Sequence, residues 1–187
     1  MKKIVLLGDS IRLNGYGTQI EQFLGKDYEI WQPEDNCRYS FYTLRLLRDF
    51  PNEIKGADVI HWNNGLWDIC DWYGDGTLVP LDMYVATMKR IASILLSWGK
   101  KVIFATTTPI KEGSLYMSND NIDAYNAAVV PVLQDMGVII HDLHTFVADN
   151  LAEYIKDEDL LHLTQAGTEA CARRVAEVIQ SALSDSI

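Results

Sequence analysis

The sequence predicts a three-layer α/β/α sandwich built on a flavodoxin-like, five-stranded parallel sheet, and three observations lead there. Short β-branched or apolar runs alternate with longer amphipathic stretches along the chain. Strands that alternate with helices favour parallel pairing through right-handed crossovers, with helices covering both faces of the sheet. At 187 residues, 48% hydrophobic and 22% charged, the chain has the size and balance of one globular domain spanning 1–187, with no linker, internal repeat or low-complexity tract.

Taken in order, the strand runs are Lys3–Leu7, Tyr28–Gln32, Asp58–Trp62, Lys101–Thr106 and Val138–Leu143. Between them lie helical patterns at Gln19–Leu24, Phe41–Asp49, Leu81–Trp98 and Ile122–Met136, with a last one at Gln165–Leu183. In Leu81–Trp98 the apolar residues Met83, Val85, Met88, Ile91, Ile94, Leu95 and Trp98 recur at threes and fours, a stripe that covers a sheet. The last helix repeats the pattern through Ala172, Val175, Val178, Ile179 and Leu183. Gly99-Lys100-Lys101 and Gly137 stand where helices hand over to strands. Two long polar connections, Cys70–Pro80 and Thr106–Asn119, are expected to overhang the carboxyl end of the sheet, where open α/β sheets carry their ligands.

Charge and cysteine content exclude several classes. With 26 acidic against 16 basic residues the formal charge is −10, which argues against nonspecific nucleic-acid or anionic-membrane partners. Cys37, Cys70 and Cys171 are odd in number and form no C-x-x-C pair, so neither a disulfide framework nor a zinc site is expected. Lys2 and Lys3 precede the apolar run Ile4–Leu7, which Gly8-Asp9-Ser10 interrupts before it reaches signal-peptide length, so a cytoplasmic protein is the expectation. The sequence carries no signal for oligomeric state.

Gly8-Asp9-Ser10 closes the first strand run, where a chain turning into a helix exposes a side chain and backbone N–H groups at the ligand edge. A serine there needs a base, and the base needs an orienting group. Asp159-Leu160-Leu161-His162, just before the last helix, offers both: an acid three residues ahead of a histidine can fold its carboxylate back onto the imidazole and leave the other ring nitrogen for serine.

These two segments resemble the first and last blocks of the SGNH hydrolases, the GDSL esterases and lipases, and the resemblance spans essentially the whole chain. It implies a flavodoxin-like sandwich, Ser10 as nucleophile, His162 as general base and Asp159 as its partner, and hydrolysis of esters without a metal or other cofactor. The middle blocks depart from the pattern. The second block's glycine is missing from Glu34-Asp35-Asn36-Cys37-Arg38-Tyr39-Ser40, which leaves the backbone N–H of Cys37 or Arg38 beside that of Ser10 as oxyanion donors. The third block, normally Gly-x-Asn-Asp, reads Asn63-Asn64-Gly65-Leu66-Trp67-Asp68 and puts Trp67 at the asparagine position. Either the Trp67 indole or an earlier asparagine takes that role, Asn63 ahead of Asn64.

Simpler readings apply to other residues. Asp9 is expected to fix the turn before Ser10. His141 and His144, three apart on a strand, face opposite sides and make a poor metal site. His61 and Trp62 read as core. Thr106-Thr107-Thr108-Pro109 ends the fourth strand run, where it either lines the pocket or simply ends the strand. Cys70 and Cys171 have no basic neighbour to activate them. Trp67, Trp72 and Tyr73 fall in the loop over the expected active edge and are candidate substrate contacts.

The sequence therefore points to a serine esterase acting on a short-acyl, small-molecule or carbohydrate ester. A non-catalytic module binding a glycan or acyl ligand on the same fold is the alternative. A phospho-receiver domain is disfavoured, because Asn63-Asn64 and Asp142-Leu143-His144 stand where it needs an aspartate and a lysine.

Overall fold

The computed structural model describes residues 1–99 and 101–184, so Lys100 in the expected helix-to-strand handover lies outside the described residues, as does the end of the 1–187 domain. Five strands, β1 (Lys2–Leu7), β2 (Tyr28–Trp31), β3 (Val59–Trp62), β4 (Val102–Ala105) and β5 (Ile139–His141), pair in the order β2-β1-β3-β4-β5. All four pairings are parallel. Four of the strand runs of the sequence contain one of these strands trimmed by a residue or more, whereas β1 begins one residue before its run, at Lys2.

The helices are α1 (Ser10–Leu13), α2 (Ile20–Leu24), α3 (Ser40–Asp49), α4 (Pro51–Ile54), α5 (Leu66–Ile69), α6 (Leu81–Trp98), α7 (Asn119–Asp135), α8 (Leu143–Ala148), α9 (Leu151–Tyr154) and α10 (Gln165–Ser184), with a 3-10 turn at Tyr16–Thr18. Helix α6 packs between α3 and α7, while α10 lies against β3 together with α2 and the 3-10 turn. The two layers bury β3 and β4 completely, which is why those runs are continuously apolar rather than alternating.

The α6 stripe is rotated from the one expected. Met83 is exposed, and the buried face runs through Tyr84, Thr87, Met88, Ile91, Ala92 and Leu95. Tyr84 reads as amphipathic in sequence, but its hydroxyl donates to Asn64 O (3.0 Å), so the whole ring can be buried. Helix α10 buries Cys171, Ala172, Val175, Ala176, Ile179 and Ala182. Gly137, at φ 88°, makes the turn from α7 into β5 in a conformation that costs other residues strain.

The order β2-β1-β3 creates a switch point at the carboxyl ends of β1 and β3, from which the chain leaves toward opposite faces. Gly8-Asp9-Ser10 follows β1 there, and Asn63-Asn64 follows β3.

Candidate active site

Ser10 opens α1 and is 8% exposed. Asp9 caps that helix, its Oδ1 accepting the Ile11 N–H (2.9 Å), which satisfies one of the amides a helix start leaves open. Burial raises the Asp9 carboxyl above its ordinary value, and the Asn63 amide, the Ile11 N–H and the Arg12 guanidinium offset part of that rise. Asp9 is thus placed as the turn-fixing residue expected.

Asp159 and His162 sit in a loop closed by an antiparallel bridge between Ile155 and Leu163. Asp159 Oδ1 accepts the N–H groups of Leu161 (3.0 Å) and His162 (2.8 Å), while Leu160 takes a left-handed backbone at φ 63°. That turn folds the other carboxylate oxygen back: His162 Nδ1–H donates to Asp159 Oδ2 (2.9 Å). With Nδ1 as donor, Nε2 is the acceptor, and Ser10 Oγ–H donates to it at 2.9 Å. Burial pushes the Asp159 carboxyl up, but the two N–H groups and the imidazole outweigh it, so it ends below its ordinary value. Ser10, His162 and Asp159 therefore form one continuous hydrogen-bonded chain, with the geometry to move a proton from hydroxyl to imidazole beside a fixed carboxylate.

The candidate oxyanion donors fare differently. Among the described residues the Ser10 N–H has no hydrogen-bond partner, so it remains available at the start of α1. The Cys37 N–H is taken by Gly8 O (3.1 Å), which removes Cys37 from the set. Arg38 remains, at φ 48°, a conformation natural to the glycine that the second block lacks. Its N–H donates to Asn36 Oδ1 (2.7 Å), an exchangeable contact with a side chain two residues back.

Asn64 is corrected as well. It is fully buried, its Oδ1 accepting from Trp62 Nε1 (2.7 Å) and its Nδ2 donating to Arg38 O (2.8 Å), so neither end of the amide is free. Asn63 is 5% exposed and its Oδ1 accepts from the Tyr16 hydroxyl (2.9 Å), an arrangement that occupies the oxygen and leaves Nδ2 as the donor end, which also faces the Asp9 carboxyl. Trp67 lies half-buried in α5, edge-on to Trp72 with ring centroids 5.8 Å apart.

Several residues that sequence reasoning missed hold these walls together. Arg12 is fully buried and donates to Pro33 O (2.8 Å), Gly8 O (3.1 Å) and Asp35 O (2.8 Å), tying the turn before Ser10 to the second block. Asp68 accepts the Ser40 N–H through both carboxylate oxygens (2.9 and 3.1 Å) and the Ser40 hydroxyl (2.5 Å), anchoring the start of α3 to the third block. Its place closing Gly65-Leu66-Trp67-Asp68 was the available signal. Burial lifts the Asp68 carboxyl to about 7 despite those donors.

Trp72 and Tyr73 are exposed on the 70–80 loop. Asp71 N–H donates to Tyr116 O (2.8 Å), and Lys111 N–H donates to Leu160 O (2.9 Å), so the 106–119 loop joins the aromatic loop to the loop of His162. Tyr116, itself 48% exposed, extends this aromatic rim.

The remaining histidines form no second site. Strand β5 ends at His141, and Asp142 caps α8, so His141 and His144 part company. His141 pairs with His61 across the buried sheet, Nδ1 to Nε2 at 3.1 Å. His144 Nδ1–H donates to Thr107 O (2.8 Å) and its Nε2 lies 3.4 Å from Asp123. Thr106, Thr107 and Thr108 are buried, with the Thr107 hydroxyl donating to Asn64 O (3.0 Å). Burial holds Cys70 up at about 11 and Cys171 at about 12, far from thiolate chemistry. Among the described residues no group of three or more His, Cys, Asp and Glu could hold a metal ion. No described helix is long and apolar enough to cross a membrane.

No protein-family profile matches the chain, and no curated protein sequence matches it. Solved structures do. A lipase/acylhydrolase from Enterococcus faecalis superposes with a TM-score of 0.79 at 17% identity, covering 97% of this chain and 96% of that one. The acetylxylan esterase Axe2 from Geobacillus stearothermophilus gives 0.76 at 18% identity over 95% and 94% of the two chains. The acetyl xylan esterase AlAXEase gives 0.71 at 22% identity over 96% and 98%. Similar structures include catalytic mutants of Axe2 in which a serine, an aspartate or the histidine three residues after that aspartate is replaced by alanine. The likeness shows that the chain has the fold of these hydrolases, as the SGNH resemblance implies.

Proposed function

We propose that this protein is a serine esterase that removes short acyl groups, acetyl foremost, from small-molecule or carbohydrate esters. The observation that carries the reading is the chain Ser10 Oγ–H to His162 Nε2 (2.9 Å) and His162 Nδ1–H to Asp159 Oδ2 (2.9 Å). The Asp-x-x-His spacing of the catalytic mutants of Axe2 supports it, as do the esterase and acylhydrolase neighbours on the same fold.

In the first half-reaction Ser10 Oγ attacks the ester carbonyl carbon while its proton passes to His162 Nε2. The Ser10 N–H, Asn63 Nδ2 and the Arg38 N–H receive the oxyanion, the last by exchanging Asn36 Oδ1 for substrate oxygen. Collapse breaks the carbon–oxygen bond, and the leaving alcohol takes the proton from His162. Water then attacks the acyl-enzyme, gives its proton to His162 and releases the carboxylic acid as Ser10 recovers that proton. Asp159 holds the imidazole tautomer and stabilises the imidazolium in both halves.

A short acyl group, acetyl foremost, is the reading that the acetylxylan esterase neighbours support. Trp72, Tyr73 and Tyr116 offer flat faces for the alcohol portion, such as a sugar ring. A series of p-nitrophenyl esters from acetyl to decanoyl, assayed with wild type and Ser10→Ala, tests the reading. Hydrolysis is expected for the shortest acyl groups, declining with length and lost in Ser10→Ala; a rate that climbs steadily to decanoyl contradicts the short-acyl assignment.

One observation favours a second reading, a glycan- or acyl-binding module without turnover: the N–H groups of Cys37 and Arg38 are both already hydrogen-bonded. Saturable binding of acetylated sugars with no hydrolysis across the ester series supports that reading instead.

A further inference from the structure

Asn63 can donate to an oxyanion only if its amide is turned the right way, because the two ends of a carboxamide are nearly the same size and opposite in character. Tyr16, Gly8 and Asp9, all outside the hydrogen-bonded triad, bear on that choice. The Tyr16 hydroxyl donates to Asn63 Oδ1 at 2.9 Å. Tyr16 is fully buried in the 3-10 turn after α1, its ring set edge-on to His61 with centroids 5.6 Å apart and planes at 85°. Gly8 gives the carboxamide its room: a Cβ there would lie 2.0 Å from Asn63 Oδ1 and 2.9 Å from its Cγ. The glycine before Asp9-Ser10 is therefore required by the close approach of Asn63.

A phenol that can donate distinguishes oxygen from nitrogen, and burial holds the Tyr16 hydroxyl well above its ordinary pKa, so it keeps its proton across the working range. Without it, the amide keeps its hydrogen bond with the Asp9 carboxyl but loses the donor that fixes its oxygen on the Tyr16 side, and turning it over would present an oxygen lone pair to a developing negative charge.

We propose that Tyr16 is a positioning residue for the hydrolytic reaction: its hydroxyl fixes Asn63 Oδ1 and so keeps Asn63 Nδ2 as the donor presented to the oxyanion formed on Ser10. This rests on the esterase reading above. The Tyr16 hydroxyl touches neither substrate nor reacting atoms, and its effect passes entirely through Asn63.

The test is a double-mutant cycle on p-nitrophenyl acetate with Tyr16→Phe, Asn63→Ala and the double variant, Ser10→Ala serving as control. Phe keeps the ring and its edge contact with His61, and kcat is read at a temperature where circular dichroism reports each variant folded. Tyr16→Phe is expected to lower kcat about tenfold at unchanged KM, the scale of one hydrogen bond to a charge-bearing network. Asn63→Ala is expected to lower it about 10²–10³-fold, and the double variant no further than Asn63→Ala alone. Wild-type kcat in Tyr16→Phe, or losses that multiply in the double variant, overturns the proposal while leaving the esterase reading intact. Full activity in Ser10→Ala overturns both.

Discussion

The wall of the site that carries Asp159 and His162 closes on itself, whereas the wall that carries Asn63 is assembled from distant parts of the chain. In the first, one carboxylate accepts two N–H groups and an imidazole from within three residues, inside a loop sealed by the Ile155–Leu163 bridge. In the second, Asn63 meets Tyr16, Asn64 meets Arg38 and Asp68 meets Ser40, contacts separated by 47, 26 and 28 positions. The self-contained wall can be recognised from its spacing together with its place before the last helix. The assembled wall depends on the whole sheet, and in the proposed mechanism its residues divide between presenting a donor and holding the presenter.

The largest effects are expected where the self-contained wall is broken. His162→Ala should reduce kcat on p-nitrophenyl acetate by about 10³-fold or more, since in the proposed mechanism it removes the base that takes the Ser10 proton. Asp159→Asn should cost less, because the Asp159 side chain is 41% exposed and water can take over part of its role. Steady-state kinetics of both variants check the ranking, and equal losses would mean that the carboxylate does more than orient the ring.

A second comparison separates the two adjacent asparagines of the assembled wall. Asn63→Ala should be catalytically crippled and should also lose about 1–3 kcal/mol of stability, because it strands the buried Tyr16 hydroxyl. Asn64→Ala should lose about 1–3 kcal/mol of stability because it strands the buried Trp62 indole N–H and Arg38 carbonyl. Chemical denaturation beside kinetics reads both quantities, and a kcat loss in Asn64→Ala as deep as that in Asn63→Ala would reverse the assignment.

This division also marks what could be read from the sequence. The five strands were legible as short apolar runs, and the long helices because their apolar period repeats over several turns. The one-turn helices at Pro51–Ile54, Leu66–Ile69 and Leu151–Tyr154 were not, since a single turn shows no period. Ser10, Asp159 and His162 could be named because a three-residue spacing and a strand-ending serine each carry geometry. Asn63 and Asn64 could not be told apart by spacing: they are neighbours, and the choice between them depends on Tyr16 and Arg38. Met83 stood in for Tyr84 in the α6 stripe because a buried tyrosine needs a partner, Asn64 O, that no local pattern reveals. Cys37 dropped out because its N–H serves Gly8 O, a contact that exists only once β1 and the second block are side by side.

The smallest effect expected concerns pH. Burial depresses both sheet histidines, His141 to about 4 and His61 well below its ordinary value. The unfolded chain therefore binds more protons than the native state below about 6.5, so the stability these histidines contribute above that pH is lost as pH falls toward 4. Asp68, raised to about 7, works in the opposite direction: between 7 and its ordinary 3.8 the native state holds a proton that the unfolded chain has released, so acidification stabilises. Asp68→Asn removes the opposing contribution while an amide oxygen still accepts from Ser40. Its thermal midpoint should fall more steeply than that of wild type between pH 7 and 4, by several degrees. Parallel curves would place the Asp68 proton outside this window.

The most direct test of the central claim is to treat the folded protein with a fluorophosphonate and locate the adduct by peptide mass spectrometry. A single adduct on Ser10, absent from Ser10→Ala and strongly slowed in His162→Ala, is the result predicted by a serine activated through the Asp159–His162 pair. No adduct on folded protein, or labelling that persists in Ser10→Ala, would contradict it.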